Sequence, residues 1–297
     1  MGALARYCFP VRKILSLIRL IRLHNCLIAG VGVWMGNYLA SPGPASNMMV
    51  YLAAVAAALV CGAGNALNDF LDIDADRINH PDRPLPSGRV PAYYAILIVI
   101  VFNTAALILA ALVNLPVFLI VLGAELMLVL YNYQLKKMPL SGNIAVSVLG
   151  SATFIVGACV GDCRNVAALP GPLVPAVFAF LFHFARELVK DKADIEGDGS
   201  AAYRTLPIIM SGKAIAILII ALFAILIGLT LVPVGLGWYR PVFNYLVIIA
   251  VDLPLVIVLA AMFIKYDRQR IRLTCEIFKI LMIVGLLAFF LGKKAEF

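Results

Sequence analysis

The chain contains nine apolar segments, each close to the length needed to cross a lipid bilayer. An α-helix rises about 1.5 Å per residue, so about 20 apolar residues span a hydrocarbon core roughly 30 Å thick. Of the 297 residues, 63% are hydrophobic and only 13% are charged. The segments cover residues 23–40, 48–67, 92–113, 116–133, 144–160, 173–188, 214–232, 245–264 and 277–291. The sequence therefore predicts an all-α, polytopic membrane bundle of nine transmembrane helices, forming a single membrane domain over residues 1–297.

Lys and Arg are concentrated on one predicted side of this bundle. With the N-terminus placed inside, only four of the 24 basic residues fall outside, namely Arg164, Arg240, Lys293 and Lys294. Because loops rich in Lys and Arg stay in the cytoplasm, we predict a multi-pass protein of the cell membrane with its N-terminus inside. Residues 12–22 alternate basic and aliphatic side chains and are expected to lie along the membrane surface. The net charge of +8 favours anionic lipid headgroups, and we expect no nucleic-acid partner.

Two acidic clusters with identical internal spacing lie at the predicted cytoplasmic ends of the second and sixth helices. The second repeats the first at a constant offset of 122 residues: Asp69, Asp72 and Asp76, then Asp191, Asp194 and Asp198. The following residues also correspond, since Arg83-Pro-Leu-Pro is echoed by Arg204-Thr-Leu-Pro. This pattern predicts an internal duplication, in which residues 1–141 carry the first cluster and residues 142–297 carry the second.

The spacing of these carboxylates indicates a metal site. Side chains three and four residues apart lie on one face of a helix, where like charges repel unless a cation lies between them. Carboxylate oxygens suit Mg²⁺, which commonly binds one or two of them and shares its remaining positions with water and phosphate. One such run could be a solvated loop, but two matched runs beside a bilayer are costly without a cation. The predicted metal ligands are Asn68, Asp69, Asp72, Asp76, Asp191, Asp194 and Asp198.

Basic residues near both clusters indicate what the metal would hold. The candidates for substrate binding are Arg22, Arg77, Arg83, Lys136, Lys190 and Arg204. Metal ions and guanidinium groups together neutralise the charge of a diphosphate. A transporter of an anionic or divalent substrate is the non-enzymatic alternative, since transporters often contain internal repeats. The acids lie at helix ends, however, and the two copies have the same orientation, which favours an enzyme.

The two motifs resemble the two signatures of the UbiA-type intramembrane prenyltransferases: Asn68-Asp69-x-x-Asp72-x-x-x-Asp76 and Asp191-x-x-Asp194-x-x-x-Asp198. The resemblance covers nearly the whole chain. It implies a helical bundle around a central cavity, with a cytoplasmic cap formed by the loops that carry the motifs. It also implies transfer of a prenyl chain from an allylic diphosphate, bridged to the carboxylates by two Mg²⁺ ions. The catalytic residues that it implies are Asp72, Asp76, Asp191, Asp194 and Asp198.

The sequence around the motifs resembles that of the branch of this family that makes digeranylgeranylglyceryl phosphate. The similar stretches are Arg22-Leu-His-Asn25, residues 79–89 and residues 185–198, with a departure at Leu23, where that branch has proline. This implies transfer of a geranylgeranyl group to geranylgeranylglyceryl phosphate, forming an ether lipid precursor. The alternative is an aromatic or quinone-precursor acceptor of the 4-hydroxybenzoate or naphthoate type.

The acceptor would bring an anionic head and an apolar tail into the membrane. We expect Arg22, Asn25 and Lys136 to hold the head, and Tyr131 to contact the acceptor or the developing carbocation. Six cysteines are present without paired metal spacing. Cys159 and Cys163, four residues apart, are expected to be buried or idle thiols, with a disulfide or a bound metal as the alternatives.

Overall fold

A computed structural model describes residues 13–40, 48–200, 203–264 and 268–294. Arg6, Cys8 and Arg12, which the sequence assigns to the cytoplasmic N-terminal region, lie outside these residues. The helices, in chain order, are α1 (Lys13–Ile21), α2 (Leu23–Ala40), α3 (Met48–Leu71), α4 (Ile73–Asn79), α5 (Tyr93–Val113), α6 (Leu115–Tyr133), α7 (Ser141–Cys159), α8 (Leu173–Ala193), α9 (Ile195–Ser200), α10 (Leu206–Ile209), α11 (Gly212–Gly235), α12 (Pro241–Val247), α13 (Leu253–Ile264) and α14 (Arg268–Gly292). Short 3₁₀ turns cover Leu135–Lys137 and Cys163–Ala167, and a π-helical turn at Ile248–Asp252 joins α12 to α13.

The predicted all-α membrane bundle is confirmed. Within the described residues, seven helices are long and apolar enough to cross a membrane, and α1 with α2, bent by 47°, gives an eighth. The remaining predicted segment, residues 173–188, lies in α8, which has 21 residues but carries Arg186, Glu187 and Lys190 near its end. These three charges distinguish α8 from a simple apolar span, and they point to a functional helix within the bundle.

The outer surface of the bundle is apolar, as a lipid-facing surface must be. Large side chains such as Leu126 and Ile217 are 62% and 67% exposed. Inside, one apolar core joins α2, α3, α5, α6 and α7, and another joins α8, α11, α13 and α14. The space between these two halves contains the central cavity described below.

Helices α2 and α7 approach each other so closely that only glycine fits at their crossing. A Cβ atom added to Gly157 would lie 1.9 Å from the Val33 carbonyl oxygen, and one added to Gly36 would lie 2.1 Å from the Phe154 carbonyl oxygen. The Asn37 side chain donates a hydrogen bond of 3.2 Å to the Gly157 carbonyl at the same place. Small residues let helix backbones pack tightly in membranes, where burial of apolar surface adds little between helices.

The helices that carry the acidic motifs break at equivalent residues. Helix α3 ends one residue before Asp72 and α4 begins one residue after it, while Asp194 separates α8 from α9 in the same way. The backbone angles are also alike, with φ −99° and ψ 14° at Asp72 and φ −104° and ψ 6° at Asp194. The short helices α4 and α9 pack against each other and form a cap over one end of the bundle.

The expectation of idle thiols at Cys159 and Cys163 is wrong, and the structure has the alternative, a disulfide. The chain turns immediately after α7 and brings the two Cα atoms within 4.2 Å, and the side chains form a disulfide.

Replacing Gly157 with alanine is expected to destabilise the protein by about 3 kcal/mol or more. The added methyl group meets a backbone carbonyl that cannot rotate away, so α2 and α7 must separate. Gly123→Ala is the matched control, because a Cβ atom there meets nothing within 4 Å. Thermal unfolding in detergent measures both variants. An unchanged midpoint for Gly157→Ala would contradict the close crossing.

Candidate active site

The two acidic motifs converge on one polar cavity of about 60 Å³ beneath the cap. Helices α3 and α8 both end next to the middle aspartate of their motif, and side chains of both motifs meet beneath the cap. The motif residues that line the cavity are Asn68, Asp72, Asp76, Asp191, Asp194 and Asp198. Arg83, Lys136 and Lys190 line it as well. The structure therefore brings together most of the residues predicted from the two motifs.

Carboxylates of the first motif are held by cations from distant segments. Lys136 Nζ lies 2.5 Å from Asp72 Oδ1, and the Tyr203 hydroxyl donates to the same oxygen at 2.8 Å. The other oxygen of Asp72 accepts from Asn68 Nδ2 at 2.8 Å. Arg83 Nη1 contacts both oxygens of Asp76, at 2.7 and 2.6 Å.

Carboxylates of the second motif are contacted by an asparagine and a histidine. Asn143 Nδ2 donates to Asp191 Oδ2 at 2.7 Å, and His80 Nε2 lies 3.1 Å from Asp194 Oδ1. Lys190, directly before Asp191 in sequence, is instead paired with Glu187 at 3.0 Å. Asp191 and Asp194 are thus contacted by an amide and an imidazole, where Asp72 and Asp76 are contacted by a lysine and an arginine.

The pKa values of the cap residues depend on burial and on the charges around each carboxylate. Burial, together with the charges of Asp191 and Asp194, raises the pKa of Asp198 to about 7. Burial also raises the pKa of Asp76, although Arg83 opposes the shift. Burial acts to raise the pKa of Asp194, but His80, whose Nε2 lies 3.1 Å from the Asp194 carboxylate, and the charge of Lys190 outweigh it, and the net shift is downward. A further cation in the cavity would relieve the repulsion among these groups.

Oxygen donors in this cavity fit a hard divalent cation by their chemistry. The aspartates and Asn68 provide the carboxylate and amide oxygens that Mg²⁺ accepts. Among the described residues, no group of three or more His, Cys, Asp or Glu side chains is already arranged to coordinate a metal ion. Lys136 and Arg83 occupy the carboxylates instead, so a bound metal would exchange places with these cations.

Asp69 does not line the polar cavity, although its spacing predicts a metal ligand. Its carboxylate is buried and lies 2.5 Å from Arg22 Nη2 and 3.3 Å from Arg83 Nη1. Arg22 stands at the bend between α1 and α2 with φ of 52°, a left-handed conformation that costs a non-glycine residue about 1–2 kcal/mol. Asn65 supports the bend by accepting from Arg22 at 3.2 Å and donating to the Ile21 carbonyl at 3.0 Å. Asp69 therefore orients Arg22.

A second, larger cavity of about 350 Å³ lies deeper in the bundle and confirms the predicted central cavity. Its walls are largely apolar and come from both halves of the bundle, and Arg22 and Asn25 line it near the cap. Asn68, Tyr131 and Lys190 line both cavities. The polar and apolar cavities therefore adjoin at these three residues, as a site for a molecule with a charged head and an apolar chain requires.

Two predicted substrate-binding residues lie away from both cavities. Arg77 pairs with Asp74 at 2.8 Å, and both side chains are largely exposed, at 63% and 85%. Arg204 is exposed, and its backbone N–H donates to the Lys137 carbonyl at 3.0 Å. That bond holds the segment after α9 against the turn that carries Lys136.

Several residues at the site have no place in the sequence prediction. Glu187 precedes Asp191 by four residues and His80 follows Asp76 by four, so the same helical spacing could have identified both. Asn143 and Tyr203 carry no such signal, because they belong to segments 48 and 131 residues from the aspartates that they contact.

Comparison with known proteins gives consistent results. Residues 29–283 match the UbiA prenyltransferase family. The chain is 35% identical over 277 residues to the digeranylgeranylglyceryl phosphate synthase of Methanopyrus kandleri, covering 92% of this chain and 97% of that protein. It is 37% identical over 235 residues to the protein of the same name from Pyrococcus abyssi, covering 77% and 82%.

A solved structure has the same fold. The UbiA homolog from Archaeoglobus fulgidus bound to GPP and Mg²⁺ superposes with a TM-score of 0.70, at 21% identity, covering 93% of this chain and 98% of that chain. Together with the family match over most of the sequence, these relationships establish that the chain belongs to the UbiA prenyltransferase family and is an intramembrane prenyltransferase.

Proposed function

We propose that this protein transfers a geranylgeranyl group from geranylgeranyl diphosphate to geranylgeranylglyceryl phosphate, with Mg²⁺ as cofactor. The observation that carries the proposal is the convergence of both aspartate motifs on a polar cavity that adjoins a large apolar one. The names of the relatives from Methanopyrus kandleri and Pyrococcus abyssi support the acceptor. The GPP and Mg²⁺ bound to the Archaeoglobus fulgidus protein support the donor class and the metal.

The diphosphate of the donor occupies the polar cavity in this proposal. Two Mg²⁺ ions are held there by the residues of both motifs that line it: Asn68, Asp72, Asp76, Asp191, Asp194 and Asp198. When bound, the metal neutralises the negative charge that develops on the leaving group. Arg83, Lys136 and Lys190 bind the remaining diphosphate oxygens, which compensates for the carboxylate contacts that they give up. Asp69 positions Arg22 and Arg83.

Transfer begins when the allylic C–O bond breaks and its electron pair leaves with the diphosphate. The acceptor hydroxyl oxygen forms the new ether bond, and its proton passes to the released diphosphate. The allylic carbon lies at the junction of the cavities, where the Tyr131 ring offers an electron-rich face to the developing positive charge. The apolar walls exclude water, which would otherwise capture the cation.

The acceptor enters the large cavity with its chain among the apolar walls. Arg22 and Asn25 line that cavity near the cap, so they are the predicted head-binding residues that remain on the acceptor side. Lys136 contacts Asp72 in the polar cavity, and we assign it to the diphosphate instead.

Asp72→Ala and Asp194→Ala are each expected to lower kcat by about 10²-fold or more while leaving the protein folded. Each removes a charged group that stabilises the leaving diphosphate, and neither removes apolar packing. Asp74→Ala is the matched control, because this neighbouring aspartate is 85% exposed. Steady-state turnover at saturating Mg²⁺ measures the effect. If either variant kept more than about a tenth of the wild-type rate, that residue would not be an essential ligand.

The acceptor is tested by supplying radiolabelled geranylgeranyl diphosphate and Mg²⁺ with a panel of acceptors. We expect product with geranylgeranylglyceryl phosphate and none with 4-hydroxybenzoate or a dihydroxynaphthoate. The reverse pattern would overturn the acceptor and leave the prenyltransferase assignment intact.

We propose further that the active site faces the cytoplasm, as the distribution of Lys and Arg predicts. Ser87 is exposed in the loop between α4 and α5 at the cap end, and Arg240 is exposed at the opposite end of the bundle. A cysteine at Ser87 should react with an impermeant maleimide only in inside-out vesicles, and a cysteine at Arg240 only in intact cells. Labelling of the Ser87 variant in intact cells would refute this orientation.

A further inference from the structure

Two basic residues of the large cavity have no part in the proposed diphosphate site. Arg186 on α8 and Lys279 on α14 both line the large cavity, and neither lines the polar one. His24, at the start of α2, lies within electrostatic range of both. Helices α8 and α14, which are distant in sequence, therefore bring Arg186 and Lys279 to one rim of the cavity.

The contacts of Arg186 neither balance its positive charge nor use all of its hydrogen-bond donors. Arg186 Nη1 donates to Glu187 Oε1 at 2.7 Å, but that carboxylate also holds Lys190 at 3.0 Å. The Nε of Arg186 is buried without a hydrogen-bond partner. A buried donor without an acceptor is costly, so this N–H favours a ligand that supplies an oxygen.

Lys279 forms an ion pair that holds it only weakly. Its Nζ lies 2.7 Å from Glu276 Oε1, but the Glu276 side chain is 65% exposed while that of Lys279 is 20% exposed. Ion pairs with one solvated partner contribute little, because water already stabilises the exposed carboxylate. Lys279 can therefore turn to a stronger anion on the cavity side at small cost.

The setting of this rim defines the chemistry of its ligand. The apolar cavity lies on one side of the basic residues, and the polar cavity, with its cluster of aspartates, is separate from them. An isolated anion would gain nothing from the apolar walls, and an uncharged lipid would gain nothing from the cations. The arrangement fits an amphiphile with an anionic head and a long hydrocarbon chain.

We propose that Arg186 and Lys279 bind the phosphate of the acceptor lipid, forming a second anion site distinct from the diphosphate site. This inference rests on the proposed function. It extends that function because it adds two residues to those that the sequence assigns to the acceptor head, which are Arg22, Asn25 and Lys136. With the phosphate at this rim and the chain in the large cavity, the acceptor hydroxyl can reach the junction at Tyr131 and Lys190. Arg186 and Lys279 thereby determine that the acceptor is a phosphorylated lipid.

Neutralising either cation should weaken binding of the phosphorylated acceptor alone. We expect Lys279→Gln and Arg186→Gln to raise the KM for geranylgeranylglyceryl phosphate by about tenfold, the size of one lost charge-assisted hydrogen bond. The KM for geranylgeranyl diphosphate should stay at the wild-type value. Lys213→Gln is the matched control, because Lys213 is exposed at the start of α11 and lines neither cavity.

Glu276→Gln distinguishes binding from a structural role of the ion pair. It removes the counter-ion of Lys279 and keeps the cation, so the KM for the acceptor should stay unchanged or fall. If the pair only stabilised the helix, Glu276→Gln and Lys279→Gln would have the same effect, and the inference would be overturned. Competition by geranylgeranylglycerol, which lacks the phosphate, should have the same inhibition constant in wild type and Lys279→Gln.

Failure of this inference can be separated from failure of the proposed function. If the wild type makes no product from geranylgeranylglyceryl phosphate, the proposed function is wrong and the inference falls with it. If the wild type uses that acceptor while Lys279→Gln and Arg186→Gln both match Lys213→Gln in acceptor KM, the second anion site is refuted and the proposed function stands.

Discussion

Repulsion between carboxylates buried at two helix ends is the constraint on which the rest of this structure depends. Asp72, Asp76, Asp191, Asp194 and Asp198 share one small polar cavity. Such a cluster persists only where cations or hydrogen-bond donors compensate the lost hydration. Lys136, on the turn before α7, is one of these cations. A Cβ atom at Gly142 would come within 2.9 Å of the Lys136 Cα, so the close approach of α7 supports the turn that carries this lysine.

The position of the cluster at the boundary between polar and apolar cavities explains how one site can handle two kinds of chemistry. A diphosphate needs charge neutralisation, whereas an allylic cation needs an environment without water. Three of the described residues line both cavities: Asn68, Tyr131 and Lys190. The two environments therefore adjoin, and these side chains lie between them. The charged residues near the end of α8 serve this boundary.

The two halves of the site are similar in backbone and different in charge. The matched helix breaks at Asp72 and Asp194 support the predicted duplication of residues 1–141 in residues 142–297, which remains a prediction. Asn68 corresponds to Lys190, since 68 + 122 = 190. One half therefore supplies an amide where the other supplies a cation, and this cation is paired with Glu187. The difference gives the cavity an uneven field, which suits a substrate whose charge lies at one end.

The sequence by itself determined the helical membrane bundle and the location of both motifs at helix ends. These features follow from hydropathy and from spacing along a helix, which are local properties. Only the tertiary structure decided which cation meets which carboxylate. Asp69 has the spacing of a metal ligand, yet it orients Arg22 at a bend 47 residues away. Tyr203 and Asn143 reach their aspartates across 131 and 48 residues, and Arg77 and Arg204 lie outside the cavities. Such contacts depend on how distant helices pack, and no local pattern of residues encodes them.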